Sequence, residues 1–156
     1  MSNFDNAMRV MTELFSSDCV FALATVDNEK PCVRMVDTYY EDGAFYIVTY
    51  GLSSKAKQLA ANENAALCNQ VHRFSGIARS LGHPLAPQNA ALRDKLTRVF
   101  EPWYFKHNNE QDSAMCYIRI DLTHGFVHKD GTGYSVDFSN KTAEAFPFTF
   151  DTILPD

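Results

Sequence analysis

Apolar residues recur along the first third of the chain with two different periods, and each change of period marks a predicted element. Residues 3–17 carry apolar side chains at helical spacing, which predicts an amphipathic helix that needs a partner surface. Residues 19–26 are apolar and rich in β-formers, so they are predicted to form a strand, and the polar residues after them predict a turn. Two further strands are expected over 32–40 and 44–50, because a glycine-containing hairpin signal at 41–43 separates them.

The middle of the chain continues with a helix and then another strand. The alanine and leucine content of residues 54–61 predicts a short helix, which Ser53 or Ser54 can cap. A fourth strand is expected over residues 65–79. Gly76 within that strand indicates a bulge or a close approach of another backbone segment.

The last part of the chain is divided by glycine and proline. The segment GHPLAPQ is expected to be a loop, since its two prolines and its glycine fit poorly in a helix or a strand. A second long helix is predicted over 88–101, followed by another loop. Strands are then expected near 115–122, 125–129 and 134–138, and no strand is predicted after them.

These elements place the chain in the α+β class, mainly β. Six or seven short strands with mostly hairpin connections, and two or three helices beside them, favour one antiparallel sheet. Such a sheet closes readily into a small barrel, because closure removes its unpaired edges. No linker or repeat interrupts residues 1–156, so we expect a single domain. The periodicity alone fits a barrel or a sandwich.

Composition and charge narrow the function classes. A hydrophobic content of 46% with 21% charged residues is ordinary for a soluble globular protein. The net charge of −5 argues against a nucleic-acid partner, whose recognition needs a basic surface. No apolar run approaches the roughly 20 residues that span a bilayer, so no membrane association is expected. The first residues lack the basic and apolar regions of a signal peptide, and a cytoplasmic location is therefore expected.

The most informative chemistry lies between the second predicted strand and the helix after the third. Arg34 interrupts an otherwise apolar strand, and Thr49, Ser53, Ser54 and Lys55 lie where the third strand leads into the helix. A helix N-terminus offers unpaired N–H groups and the positive end of the helix dipole. A lysine in that first turn opposes the dipole unless an anion is near. Together these residues predict a phosphate site, with an outward-pointing, solvated Arg34 as the structural alternative.

Other polar and aromatic residues carry weaker signals. His124 and His128 are four residues apart, but no third ligand follows at a recognisable spacing, so no metal is predicted. The aromatic run 103–105 is interpreted as core or dimer packing rather than cofactor stacking. The remaining histidines and the cysteines occur singly, and the cysteines are interpreted as small apolar residues: His72, His83, His107, Cys19, Cys32, Cys68, Cys116.

The order of these features resembles a known family. RMV at 34–36, an acidic-glycine turn, an aromatic strand ending in Thr49, and S-x-K-A-x-Q from Ser53 are similar to the flavin mononucleotide (FMN) site of the pyridoxamine 5′-phosphate oxidase-like, FMN-binding split-barrel superfamily. The resemblance is strongest over residues 20–80 and extends to the nitroimidazole-reductase-like relatives. It implies a split barrel, FMN as cofactor, and a homodimer with FMN at the subunit interface.

The resemblance also implies roles for individual residues. Arg34, Ser53 and Lys55 match the family's ligands to the FMN phosphate. Backbone or side chains at three further positions match those that flank the ribityl chain and the flavin ring: Met35, Val36, Thr49. Thr49 or the backbone around Tyr50 is expected to donate a hydrogen bond near the flavin's pyrimidine end.

The chain departs from the family pattern at three places. Ser54 stands where the oxidases usually carry arginine, so one contact to the phosphate is missing. Tyr39 stands where the oxidases carry the lysine that binds the substrate phosphate. The segment FPFTFDTILPD lacks the arginine and histidine that end the true oxidases. Pyridoxamine phosphate is therefore not the expected substrate.

Three functions are consistent with these residues and with the resemblance. The first is an FMN-dependent oxidoreductase acting on an unknown small molecule, with a nicotinamide, NAD(P)H, as the candidate donor and no catalytic residue assigned. The second is a non-catalytic flavin- or haem-binding protein for storage or stress, in which a haem would need an axial histidine from His72, His83, His124 or His128. The third is a structural or interaction protein. The helix 3–17 and the aromatic run 103–105 are the expected material of a dimer seam.

Overall fold

The computed structural model describes residues 1–154 of the chain, and the last two residues of the predicted domain lie outside the described part. Four α-helices and a single 3₁₀ turn at Pro87–Asn89 accompany the strands. The helices are α1 (Asn3–Phe15), α2 (Ser54–Ala61), α3 (Ala90–Val99) and α4 (Tyr104–His107). The strands are β1 (Cys19–Asp27), β2 (Lys30–Glu41), β3 (Ala44–Tyr50), β4 (Asn64–Asn69), β5 (His72–Gly82), β6 (Met115–Lys129), β7 (Thr132–Asp137) and β8 (Thr142–Pro147).

All eight strands of the described residues belong to one antiparallel sheet. Its order is β3-β2-β1-β4-β5-β6-β7-β8, and an additional pairing of β3 with β6 closes the first six strands into a barrel. Strands β7 and β8 extend the sheet beyond the closed part. The predicted α+β class and antiparallel barrel are thus confirmed, with one or two strands more than the sequence indicated.

The strands differ from the predicted ones at three places, two of which add a strand and one of which removes one. Residues 65–79 form two strands, because the chain turns at Gln70, which adopts a φ of 53° without any glycine or proline to signal it. The predicted strands at 115–122 and 125–129 are one strand, β6, whose pairing with β5 shifts register between Ser75 and Gly76. Strand β8 follows a turn in which Lys141 has a φ of 55°. Residues with side chains rarely adopt positive φ, so these turns carry little sequence signal.

Gly76 fulfils both expectations attached to it. The register of β5 against β6 shifts at this residue, which is the sheet irregularity known as a β-bulge. A Cβ atom at Gly76 would lie 2.7 Å from the carbonyl oxygen of Asp121 on the neighbouring strand. Because that neighbour is backbone, glycine is required for the two strands to approach this closely.

The main core fills the barrel, and α1 packs against one end of it. Ser2 and Asp5 form a reciprocal capping box that starts α1. The buried face of the helix carries Ala7, Val10, Met11 and Phe15. Phe15 then joins a group of barrel aromatics whose ring centroids lie 4.9 to 6.2 Å apart: Phe15, Phe21, Phe45, Phe74. The apolar face of α1 is therefore used within its own chain and is not available to a partner.

A second, smaller core lies where α3 and α4 pack against β3 and β6. Tyr104 and Tyr117 are fully buried there, and their hydroxyl groups lie 2.6 Å apart. The ring of Trp103 packs against that of Phe100 with their centroids 4.6 Å apart, whereas Phe105 is largely exposed. Two of the three aromatic residues at 103–105 thus pack within the chain.

No described helix is both long and apolar enough to span a membrane.

A pair of stacked histidines lies at the end of the barrel where the C-terminal segment crosses it. The rings of His72 and His128 are 4.6 Å apart and nearly parallel, and Phe15 and Phe148 flank the pair. His72 is only 8% exposed, and Nδ1 of His72 and Nε2 of His128 are buried without a hydrogen-bond partner. Burial, and then the neighbouring His128, lower the pKa of His72 from its usual 6.5 to about 4.

This pair makes stability depend on pH in a defined direction. The folded state favours neutral His72, whereas the unfolded chain takes up a proton near pH 6.5. The contribution of this difference to the free energy of unfolding is therefore complete above the unfolded pKa near 6.5 and is lost as the pH falls toward 4. We expect His72→Phe, which keeps a ring but does not titrate, to lose about 1 to 2 kcal/mol less stability than the native protein between pH 7 and pH 4.5. Urea unfolding at the two pH values measures this. Equal losses in both proteins would contradict it.

Candidate functional site

The N-terminus of α2 is held against β6 by a glycine and capped by a serine. Strand β3 ends at Tyr50, and the amide of Gly51 donates to the carbonyl of Ala114 at 2.6 Å. A Cβ atom at Gly51 would lie 2.6 Å from that same oxygen, so a larger residue would push the segment away. Ser53 then caps the helix, its hydroxyl accepting from the amide of Ala56 at 3.3 Å. The predicted helix 54–61 is confirmed, and of the two serines expected to cap it, Ser53 is the cap.

This N-terminus presents unused hydrogen-bond donors. Helix geometry leaves the amides of Ser54 and Lys55 without an intrahelical acceptor, and none of the described residues accepts from them. The hydroxyls of Thr49 and Ser53 lie 3.4 Å apart beside them. No acidic residue occurs in the first turn of α2 to balance the helix dipole. Donors of this kind suit an anion.

Arg34 reaches this helix from the barrel wall. It lies on the same face of β2 as the buried Val36, opposite Leu23 of β1. Its Nη1 donates to the hydroxyl of Thr25 at 2.7 Å and to the carbonyl of Leu23 at 3.2 Å. Its Nη2 donates to the side-chain carbonyl of Gln58 on α2 at 2.7 Å. The guanidinium is therefore fixed between β1 and α2 rather than solvated.

Lys55 adds a second positive charge beside Arg34. The lysine is half-buried, and its pKa is lowered first by that burial and then by the positive charge of Arg34. Among residues 1–154, no ion pair includes Arg34 or Lys55. Two like charges held together without a carboxylate repel each other, and a bound anion would relieve that repulsion.

The other predicted site residues lie apart from these two charges. The side chain of Met35 is on the outer face of β2 and 64% exposed, and that of Val36 belongs to the main core. Tyr50 is 46% exposed at the end of β3, and Ser54 is exposed on α2. The structure thus brings Arg34, together with Thr49, Ser53 and Lys55, around the start of α2. Only the backbone of residues 35 and 36 shares a strand with the arginine.

Sequence reasoning missed four residues that the fold adds to this region. Thr25 and Gln58 hold Arg34, and Ser80 and Cys116 line a cavity of about 420 Å³ between α2 and strands β5 and β6. Burial raises the pKa of the Cys116 thiol, while a hydrogen bond from Ser80 and the charge of Lys55 act in the opposite direction. Gln58 is the glutamine of the S-x-K-A-x-Q pattern that begins at Ser53, but sequence reasoning assigned it no role of its own.

A larger groove, which we call the outer groove, lies on the outside of the barrel. It has a volume of about 600 Å³ and is lined mainly by small and aromatic apolar residues, with a few polar groups among them. The apolar lining includes Ala22, Ala24, Val33, Ala66, Phe126 and Phe146, and the polar groups are Arg73, Ser75, His124 and Ser135. The surrounding face also exposes Val20 (48%) and Val33 (70%). An exposed apolar face of this kind is typical of an interaction surface or a ligand-binding groove.

The remaining histidines are distributed over separate places. His83 stabilises its loop, since its Nδ1 accepts from the amide of Leu85 and its Nε2 lies 3.0 Å from the carbonyl of Asp112. His124 is exposed in the outer groove, 3.6 Å from Asp137. Within the described part of the chain, no group of three or more histidine, cysteine or acidic residues has the proximity that a metal ion requires.

The chain was compared with known protein families, curated sequences and solved structures. No protein-family model and no curated protein sequence matches the chain. A haem-binding protein from Mycobacterium smegmatis superposes with a TM-score of 0.65 at 17% identity, over 90% of this chain and 60% of that one. General Stress Protein 26 from Bacillus anthracis gives 0.61 at 18% identity, over 78% and 92% of the two chains. An FAD-binding protein from Mesorhizobium loti gives 0.58 at 17% identity, over 76% and 91%.

These identities are low, so the likeness concerns the fold. The fold of the chain is that of the pyridoxamine 5′-phosphate oxidase-like split-barrel proteins, as the resemblance in residues 20–80 implied.

Proposed function

We propose that this chain is a flavoprotein that binds FMN through its phosphate at the N-terminus of α2 and acts as an oxidoreductase. The observation that carries the proposal is the juxtaposition of Arg34 and Lys55, which have no carboxylate partner in residues 1–154. A phosphomonoester is dianionic at neutral pH and would balance both charges. FAD binding by a protein of the same fold supports a flavin as the group that carries this phosphate.

The oxygens of a phosphate group can accept hydrogen bonds from each donor in the site. Arg34 supplies a planar guanidinium and Lys55 a flexible ammonium, while the amides at the start of α2 add neutral donors. Charge-assisted hydrogen bonds contribute about 1.5 to 3 kcal/mol each, so each such contact to the phosphate is expected to change the affinity about tenfold or more. Ser54 in place of the family's arginine removes one such contact, and the exposed Lys57 lies three residues farther along α2.

The residues of the chain would bind and orient the cofactor rather than take part in proton transfer. When bound, FMN supplies two-electron transfer between a donor and an acceptor. The backbone near Tyr50, at the end of β3, is the group that can donate to the pyrimidine end of the ring. A nicotinamide donor and a small acceptor other than pyridoxamine phosphate fit a site without an assigned acid or base. Tyr39 replaces the lysine that would hold a substrate phosphate.

Haem binding is the second candidate function, and one observation favours it. His124 is exposed within the apolar outer groove, where an imidazole could serve as an axial ligand and Arg73 lies among the lining residues. A haem-binding protein has the same fold. Haem binding, however, gives no reason for Arg34 and Lys55 to be brought together, so FMN is the preferred cofactor.

We also propose that two copies of the chain associate through the face that bears the outer groove. The apolar face of α1 is covered by its own barrel, whereas Val20 and Val33, with Met35, are exposed on this sheet surface. Exposed apolar patches of this kind on soluble proteins commonly mark interfaces. The family resemblance would place the cofactor at the boundary between the subunits.

The visible spectrum of the purified protein, taken before and after anaerobic addition of NADPH, tests the proposed activity. We expect a flavin spectrum, after reconstitution with FMN if necessary, that bleaches when the nicotinamide is added. A flavin spectrum that does not change would retain the cofactor and remove this donor. A Soret band would favour the haem alternative. Absence of any chromophore after reconstitution would overturn the phosphate site.

Substitutions in the site should affect FMN binding according to their place. Arg34→Ala and Lys55→Ala should each weaken FMN binding about tenfold or more, because each removes a charge-assisted contact. Lys57→Ala removes the same charge from an exposed position of α2 and should change affinity less than twofold. Quenching of flavin fluorescence measures these affinities. Equal losses in all three variants would show that the phosphate lies elsewhere.

The oligomeric state tests the proposed interface. We expect size-exclusion chromatography with light scattering to give twice the 17.6 kDa chain mass at micromolar concentration. Val33→Glu places a charge on the proposed contact face and should give a monomer. Leu85→Glu adds the same charge at another exposed apolar residue, in the loop before α3, and should remain dimeric. A native protein that is monomeric would exclude the interface.

A further inference from the structure

The charge on Arg34 can act on a ligand only if the groups that hold the guanidinium leave that charge uncompensated. Its three hydrogen bonds all go to neutral acceptors: the carbonyl of Leu23, the hydroxyl of Thr25 and the amide oxygen of Gln58. An arginine guanidinium has five N–H groups, so two of them have no acceptor among the described residues. The side chain is thus fixed in place with its charge and part of its donor capacity unused.

Gln58 and Thr25 form a closed arrangement with Arg34. The amide oxygen of Gln58 accepts from Nη2 of Arg34 at 2.7 Å and from the hydroxyl of Thr25 at 2.6 Å. Thr25 in turn accepts from Nη1 of Arg34 at 2.7 Å. Thr25 is only 2% exposed, so its hydroxyl needs these partners inside the fold. The three side chains join β1, β2 and α2 at one point.

We propose that Gln58 and Thr25 are positioning residues that aim Arg34 at the cofactor phosphate, and that the neutral amide at position 58 determines the selectivity of the site for a phosphorylated flavin. This inference rests on the proposed function. A glutamate at position 58 would accept the same two hydrogen bonds with almost the same shape. Its carboxylate would, however, neutralise Arg34 and repel an incoming phosphate.

A purely structural role for Gln58 leads to a different expectation. If the residue only attaches α2 to the barrel, its substitution should weaken every ligand of the site to a similar degree. If it sets the charge available to the phosphate, the loss should depend on the phosphate. The ratio of FMN affinity to riboflavin affinity separates the two roles, because riboflavin has the same ring and ribityl chain without the phosphate.

The experiment compares FMN and riboflavin binding to the native protein and to Gln58→Glu by fluorescence quenching at fixed ionic strength. We expect Gln58→Glu to lower FMN affinity about tenfold or more, the size of one charge-assisted contact, and riboflavin affinity less than twofold. Gln88→Glu is the matched control: Gln88 is exposed on the turn before α3, so the variant has the same net charge and should bind FMN like the native protein.

A second variant keeps the test informative if Gln58→Glu fails to fold, which far-UV circular dichroism would reveal. Thr25→Val removes one acceptor of Arg34 without adding charge, and should lower FMN affinity severalfold with riboflavin affinity unchanged. Equal loss of both ligands, or native FMN affinity in the folded variants, would overturn the positioning role while leaving FMN binding intact. Failure of the native protein to bind FMN at all would overturn the proposed function and this inference with it.

Discussion

The pairing of β3 with β6 turns an open sheet into a barrel, and the rest of the structure depends on this closure. Residues 44–50 pair with residues 115–121 in antiparallel register, so the end of β3 is fixed against the start of β6. Gly51 continues this contact through its close approach to Ala114. The chain has only Leu52 between this fixed point and the cap at Ser53. The position of the α2 N-terminus therefore follows from barrel closure.

Closure also explains why two positive charges can be held near each other. Arg34 is attached to β1 and α2 by three neutral acceptors, and Lys55 is carried by the first turn of the same helix. In a flexible segment the two side chains would separate and remain solvated. Here, the rigid elements keep the two charges in place, and burial, together with the positive charge of Arg34, lowers the pKa of Lys55. Local destabilisation of this kind is typical of binding sites.

Local signals made much of this site predictable from sequence. The serine cap, the helix composition and the glycine hairpin at 41–43 depend on neighbouring residues alone, and the helix after Ser53 was predicted at its observed bounds. The turn at Gln70 and strand β8 were missed, because residues other than glycine adopt the positive φ values there. The roles of Thr25 and Gln58 could not be predicted, since they depend on how β1 pairs with β2 and where α2 packs. Thr25 and Gln58, for example, are 33 positions apart in the sequence, and a contact of this kind leaves no periodic pattern.

The packing of α1 has a consequence for the order in which the chain folds. This helix precedes all the strands in the chain, yet its apolar face rests partly on β6, β7 and β8, which follow it by about a hundred residues or more. Before those strands exist, this apolar face can be covered only in part, for example where Phe15 packs against Phe21 of β1 and Phe45 of β3. Complete docking of α1 therefore follows the synthesis of β6, β7 and β8 and closes a loop of about a hundred residues. Until then part of the apolar face of α1 stays uncovered, and exposed apolar surface of this kind favours aggregation.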